Sequence, residues 1–121
     1  MEYKEILHFC IENLECDDDL YPMLCHNLSG VYRRSQNFEK ALSYSNLGIK
    51  SCHQNKNIRA LSVLYYGKGI SEYKLDQTKY IESLNTSITL AKAFGQNEIE
   101  NTIVNNCKNI FNIDPELFTT I

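Results

Sequence analysis

Apolar side chains recur every three or four residues along almost the whole chain, and polar side chains fill the positions between them. This spacing places the apolar residues on one face of an α-helix. Polar clusters at 35–37 and 76–78 interrupt the pattern and are typical of turns. The pattern predicts six long helices, at 3–14, 20–35, 38–52, 58–75, 80–94 and 98–111, and a short helix that ends near residue 118.

Residues at the predicted helix ends support these limits. The acidic run 17–19 is expected to cap the second helix, because carboxylates accept the free N–H groups of a first turn. Gly95 is expected to end the fifth helix, and Asp114 to cap the last one ahead of Pro115. The only two prolines, Pro22 and Pro115, lie at predicted helix starts, so we expect an all-α chain.

The predicted helices repeat in pairs. The segment 24–50 returns in looser form at 64–92, with a period of about 41 residues. The opening helix begins with YKEIL, which matches FEKAL from residue 38 and YIESL from residue 80, so it corresponds to the second helix of a pair. We therefore expect one domain over 1–121, an α-α superhelix of six to seven helices arranged as a solenoid of antiparallel hairpins. The half-hairpin at the start favours a fragment over a stand-alone product.

Two glycines stand in the middle of the fourth predicted helix. Gly67 and Gly69 each cost about 1 kcal/mol relative to alanine in a helix interior. We expect them to permit the close approach of a neighbouring helix, which offsets that cost.

Composition narrows the classes of function. With 43% hydrophobic and 22% charged residues, the chain is typical of globular proteins, and a formal net charge of −3 argues against a nucleic-acid surface. No apolar run approaches the ~20 residues that span a bilayer, and the first ten residues do not form an export signal. We expect a cytoplasmic protein without membrane contact.

The five cysteines are odd in number and lack CxxC spacing, so we expect reduced thiols that pack mainly as small apolar side chains. Cys25-His26 and Cys52-His53 carry zinc-ligating groups, but neighbours on a helix point about 100° apart and cannot close on one ion. The acids between residues 2 and 19 lack the glycine of a calcium loop. No group is evident to orient a catalytic base. We expect no metal, no cofactor and no enzymatic activity.

The paired helices resemble tetratricopeptide repeats. Their signature is a small residue, two aromatic residues and an alanine along one hairpin, and here it is formed by Leu28-Ser29, Tyr32, Phe38 and Ala41. The match weakens at Ser45, where an aromatic residue is common, at Gly48, where alanine is, and in the second copy at Ser83. The long period and the phrases NFEKAL, LYYGKGISEYKL and LAKAFGQNE are similar to the C-terminal halves of Rgg- and PlcR-type peptide-sensing transcription regulators of Gram-positive bacteria.

This resemblance implies a non-catalytic regulatory domain used in quorum sensing. It implies a right-handed superhelix whose concave groove binds a short signalling peptide, a homodimer, and DNA contact only through an N-terminal helix-turn-helix domain that is missing here. Peptide binding would select one curvature of the solenoid. The alternative is a generic tetratricopeptide adaptor that docks a peptide segment of a partner protein. Phosphatase regulators that share this repeat would need an additional helical bundle.

The first helix of each hairpin is expected to line the groove. Amides can bond a peptide backbone, and Lys or Arg can pair with its carboxylates, although a solvated surface is an equally good interpretation of the same residues. The candidate groove residues are His26, Asn27, Arg33, Arg34, Lys68, Ser71 and Lys74. The strongest candidates among them are Asn27 and Lys68. The surface expected to support a dimer comprises Ile99, Ile103, Ile110, Leu117 and Phe118.

Overall fold

The computed structural model describes residues 2–119, and that part of the chain is built from α-helices without a strand. The all-α prediction is confirmed, and every predicted helix is found. The seven helices are α1 (Tyr3–Glu12), α2 (Tyr21–Arg34), α3 (Phe38–Asn55), α4 (Leu61–Lys74), α5 (Tyr80–Ala93), α6 (Asn97–Asn109) and α7 (Glu116–Thr119). A single 3-10 turn, Ile58–Ala60, precedes α4.

Two of the predicted helix-end residues are found in place, and one predicted cap is not. Gly95 follows α5 with a φ of 66°, and the Asp114 carboxylate accepts the backbone N–H of Glu116 at 3.0 Å, as predicted for both residues. The prediction that the acidic run 17–19 caps α2 is wrong. Asp18 accepts the N–H of Leu20 at 2.9 Å, ahead of the helix, and no side chain caps the first turn. Pro22 lies in that turn and lacks an N–H, so the turn has fewer donors to satisfy.

Two helical hairpins form the centre of the molecule. In the first, the Ser29 hydroxyl of α2 donates to the Ala41 carbonyl of α3 near the connecting turn, at 2.8 Å. At the far end of this hairpin, the Asn55 amide donates to the Asp18 carbonyl at 3.1 Å. The second half of α2 thus contacts the start of α3, and the residues just before α2 contact the end of α3. The two helices therefore run antiparallel. 

The second hairpin is formed by α4 and α5. The Ser83 hydroxyl donates to the Glu72 carboxylate at 2.5 Å near its turn, and Ser87 donates to the Ser62 carbonyl at 2.6 Å farther along. Because α4 packs against both α3 and α2, the two hairpins lie side by side. α1 packs on α2, while α6 and α7 pack on α5.

Glycines allow the helices to approach closely where the sequence predicted it. A Cβ on Gly69 would lie 2.8 Å from Cγ of Leu84 in α5. Gly48, where the repeat signature has alanine, faces equally close neighbours, because its Cβ would lie 2.6 Å from Cδ2 of Leu64 and 2.9 Å from Cβ of Cys25. A side chain at either position would require these neighbouring atoms to move.

Buried side chains of the described residues form three clusters: one joins α1, α2 and α3, one joins α3 to the start of α4, and one joins α4 and α5 to the C-terminal helices. Cys25, Cys52 and Cys107 are buried in these clusters, as predicted for most of the cysteines, and burial raises the pKa of the Cys25 thiol to about 12. Ile103 and Phe118 are also buried, so they are not available for the dimer surface expected from the sequence. Of that set, Ile110 and Leu117 are exposed. Within residues 2–119, no helix combines the length and apolar character needed to cross a bilayer.

Candidate functional site

An open cavity of about 670 Å³ lies between α2, α4 and the end of α6. A neighbouring cavity of about 330 Å³ continues it along α6 and shares His26 and Tyr66 with it. We call the two cavities together the groove. The larger one is lined by His26, Gly30, Arg33, Arg34, Gln36, Phe38, Tyr66, Ile70, Lys74, Asn106, Ile110 and Phe111. The groove therefore borders α2 and α4, the first helices of the two hairpins, and the end of α6.

Arg33 is held in the groove by a buried chain of hydroxyl groups. Its Nη1 donates to the Ser29 hydroxyl at 2.8 Å. The Ser29 hydroxyl in turn donates to the Ala41 carbonyl, also at 2.8 Å. Ser45 lies 2.8 Å from Ser29 and can donate to it. On the other side, a Cβ on Gly67 would lie 2.5 Å from Nη1 of Arg33. The guanidinium therefore has one defined position between α2 and α4.

The positive charge of Arg33 has no counter-charge nearby. Among residues 2–119, no carboxylate lies within 4.0 Å of its guanidinium, and the ion pair found in that part of the chain joins Lys92 to Glu100. The pKa of Arg33 is lowered, mainly by burial. The nearby Tyr66 acts in the opposite direction, and the charge of Arg34 lowers the pKa further. A guanidinium nevertheless stays protonated, and a half-buried charge without a partner is costly. An anion that enters the groove would relieve this cost.

Uncharged polar groups also line the groove. Nδ1 of His26 is buried and has no hydrogen-bond partner among the described residues. Desolvation, and to a smaller extent the charge of Arg33, lowers the pKa of His26 to about 4, so its imidazole is neutral at pH 7. The Asn106 amide of α6 donates to the Tyr66 hydroxyl of α4 at 3.2 Å, which links two walls of the groove. The groove thus combines the fixed cation of Arg33 with two further cations, Arg34 and Lys74, and with neutral donors and acceptors. Its smaller cavity also contains one carboxylate, that of Glu98.

Four of the seven residues predicted from the sequence line the groove: His26, Arg33, Arg34 and Lys74. Two of the others lie elsewhere. Asn27 borders a separate cavity near the start of α2, and Nζ of Lys68 lies 5.7 Å from the centre of the Tyr65 ring. Lys68 misses the groove because it stands two positions from Tyr66, which turns it to another face of α4.

The prediction that Ser71 contacts a ligand has to be corrected. Its side chain is fully buried, and its hydroxyl donates to the Gly67 carbonyl one turn earlier at 2.9 Å. It has neither the exposure nor a free proton with which to contact a ligand. The face of α4 that borders the groove instead carries Val63, Tyr66, Ile70 and Lys74, at spacings of three and four.

The sequence reasoning missed the contribution of α6. Asn106 follows Tyr66 by 40 positions, and Tyr66 follows His26 by the same interval. The repeat period of about 41 residues pairs His26 with Gly67 rather than with Tyr66, so one further step of that period would not have found Asn106.

The cavity that contains Asn27 lies between α1 and α2 and has a volume of about 480 Å³. We call it the α1–α2 pocket. Its walls are mostly apolar and are formed by Phe9, Cys10, Asn13, Leu14, Leu20, Met23, Leu24 and Asn27. Three of these side chains are largely open to solvent, with exposed fractions of 61% for Phe9, 64% for Leu20 and 42% for Met23.

Among the described residues, no group of three or more His, Cys, Asp or Glu side chains could hold a metal ion. No protein-family model, curated protein or solved structure matches this chain.

Proposed function

We propose that this chain is the non-catalytic regulatory domain of a peptide-sensing transcription regulator of the tetratricopeptide type. It binds a short signalling peptide in the groove, acts in the cytoplasm, forms a homodimer and reaches DNA through a separate domain. The observation that carries the proposal is the uncompensated charge of Arg33 on the wall of an open groove. A peptide carboxylate, from Asp, Glu or the C-terminus, supplies the missing counter-charge and two parallel hydrogen bonds.

The surrounding groups suit the rest of a peptide. A peptide backbone presents alternating donors and acceptors, and the neutral imidazole of His26 can satisfy either. Arg34 and Lys74 add positive charge around the groove, which attracts acidic peptides and speeds their association. Nζ of Lys74 lies 5.7 Å from the centre of the Phe111 ring and keeps its charge next to an apolar surface.

A peptide that touches α2, α4 and α6 together would favour one curvature of a superhelix. The Tyr66–Asn106 hydrogen bond already links α4 to α6 on the wall of the groove. A ligand that binds one arrangement of these helices more tightly shifts the population toward it. The attached DNA-binding domains would follow this shift. Ile110 and Leu117, both exposed, are the dimer contacts we propose.

The test is a screen of fluorescent peptides by anisotropy against the purified chain and two variants. One pool contains short secreted peptides of the source organism, and the other contains C-terminal tails of its cytoplasmic proteins. Hits from the first pool support the regulator. Hits from the second pool alone support the adaptor, a domain that docks a partner's peptide segment.

The variants show whether the groove is the binding site. Arg33→Met should weaken the best peptide at least tenfold, because removing one partner of a desolvated charge pair costs about 2–5 kcal/mol. Arg59→Met removes an equal charge from an exposed turn outside the groove and should leave the affinity unchanged. Equal affinity of Arg33→Met and the unaltered chain would contradict the proposal.

A further inference from the structure

Residues of the α1–α2 pocket and residues of the groove follow one another along α2. Residues at spacings of three and four along a helix lie on the same face. Five residues of α2 and its N-cap follow this spacing and connect the apolar pocket to the cationic groove: Leu20, Met23, Asn27, Gly30 and Arg34. A ligand that lies along this face would contact both cavities.

The two cavities differ sharply in chemistry. The walls of the α1–α2 pocket are almost entirely apolar, and Phe9 and Met23 remain exposed at its edge. Asn27 lines the α1–α2 pocket one turn before Gly30 of the groove, and its amide can bond a peptide backbone. The groove contributes the unpaired charge of Arg33. Arg33 lies beside this face rather than on it, and it lines the same cavity as Gly30 and Arg34. An apolar site and a cationic site therefore follow one another along α2 and complement a ligand that carries an apolar group and an anionic group.

The distance between the two sites sets the length of that ligand. Met23 and Arg33 are ten residues apart on α2, which corresponds to about 15 Å along the helix axis. An extended peptide covers this distance in about four to five residues. We propose that the ligand is an amphipathic peptide that inserts a bulky apolar side chain into the α1–α2 pocket and places a carboxylate, about four to five residues away, on Arg33. This inference rests on the proposed function and specifies the class of peptide.

The test uses fluorescein-labelled peptides that carry one Phe and one Asp in a Ser/Gln background, with capped ends. The separation of Phe and Asp varies from one to seven residues, and the matched control peptides replace Phe with Ser. Binding is measured by anisotropy. Affinity should peak at separations of four to five, and the Phe-to-Ser change should weaken the best peptide about tenfold, the value of one buried aromatic or aliphatic side chain.

Variants of the chain locate the apolar contact. Met23→Ser and Phe9→Ser alter exposed side chains, so they should fold normally. Each should weaken the Phe peptide about tenfold while leaving the Ser peptide unaffected. Ile58→Ser is the matched control, because Ile58 is 47% exposed and lies outside both cavities. It should change neither affinity.

The outcomes separate this inference from the function on which it rests. Binding that requires Arg33 but is indifferent to Phe, to its separation from Asp and to Met23 overturns the inference and leaves the proposed function standing. Self-association in the ultracentrifuge that Met23→Ser abolishes would show that a second copy occupies the pocket, which also overturns the inference. Failure of the chain to bind any peptide of this series or of the secreted pool overturns both.

Discussion

The guanidinium of Arg33 occupies the space that a side chain on Gly67 would fill, since a Cβ at position 67 would lie 2.5 Å from Nη1. This contact makes the position of the groove cation depend on a residue in a different helix. It also explains why α4 carries a glycine at a position where alanine would favour the helix by about 1 kcal/mol.

Replacement of Gly67 by alanine therefore tests how Arg33 is positioned. The added methyl group forces the guanidinium away from Ser29, and we expect the affinity for an acidic peptide to fall about tenfold. Stability should change by less than about 1 kcal/mol, because the gain in helix propensity offsets the displacement of a flexible side chain. Calorimetric titration and urea unfolding measure the two effects. Unchanged peptide affinity would show that Arg33 does not need this position.

Two other glycines should respond to alanine in opposite directions. A Cβ on Gly30 would be 3.4 Å from Nη1 of Arg34, an ordinary contact, so Gly30→Ala should raise the free energy of unfolding by about 0.5–1 kcal/mol. A Cβ on Gly48 would be 2.9 Å from Cβ of Cys25, which cannot rotate away, so Gly48→Ala should lower it by about 1–3 kcal/mol. Urea unfolding of both variants compares the signs. Stabilisation by Gly48→Ala would contradict the packing of α3 against α2 and α4.

Acid should destabilise the fold through His26. Its pKa is about 4 in the folded chain, against an ordinary value of 6.5, mainly because of desolvation. Between these two values the unfolded chain binds a proton that the folded chain does not, so stability falls as the pH drops from 6.5 toward 4. The His26→Asn variant lacks this dependence. We expect the free energy of unfolding of the unaltered chain to fall more steeply than that of the variant over this range. Parallel curves would mean that His26 titrates normally in the folded state.

Thiol reactivity should divide the cysteines into two groups. Cys25, Cys52 and Cys107 are buried, and burial raises the pKa of each thiol, whereas Cys10 and Cys16 are half-buried. Only a thiolate reacts readily, so a thiol reagent at pH 8 should label two cysteines quickly in the folded chain and all five in guanidinium. Mass spectrometry of the labelled peptides identifies them. Rapid labelling of Cys25 in the folded chain would contradict the core.

The sequence predicted the helices well because helix formation depends on local spacing and on end residues such as Gly95 and Asp114. It predicted less about side chains whose positions depend on neighbouring helices. Lys68 and Ser71 were assigned to the groove by shifting a pattern along the repeat, and a small error in that shift rotates a residue to another face of the helix. The lack of a carboxylate near Arg33 depends on where all the acidic residues lie in space. Periodicity alone does not contain that information.

The most direct test of the central claim is a nuclear magnetic resonance titration of the ¹⁵N-labelled chain with the best acidic peptide from the screen. We predict that the side-chain Nε–Hε signal of Arg33 shifts, together with backbone amides of Gly30, Tyr66 and Asn106. Amides of Ser43 in α3 and Thr89 in α5, both exposed and outside the groove, should not move. A saturated complex in which the Arg33 signal stays in place while signals of α3 and α5 shift would contradict the claim that the peptide binds in the groove.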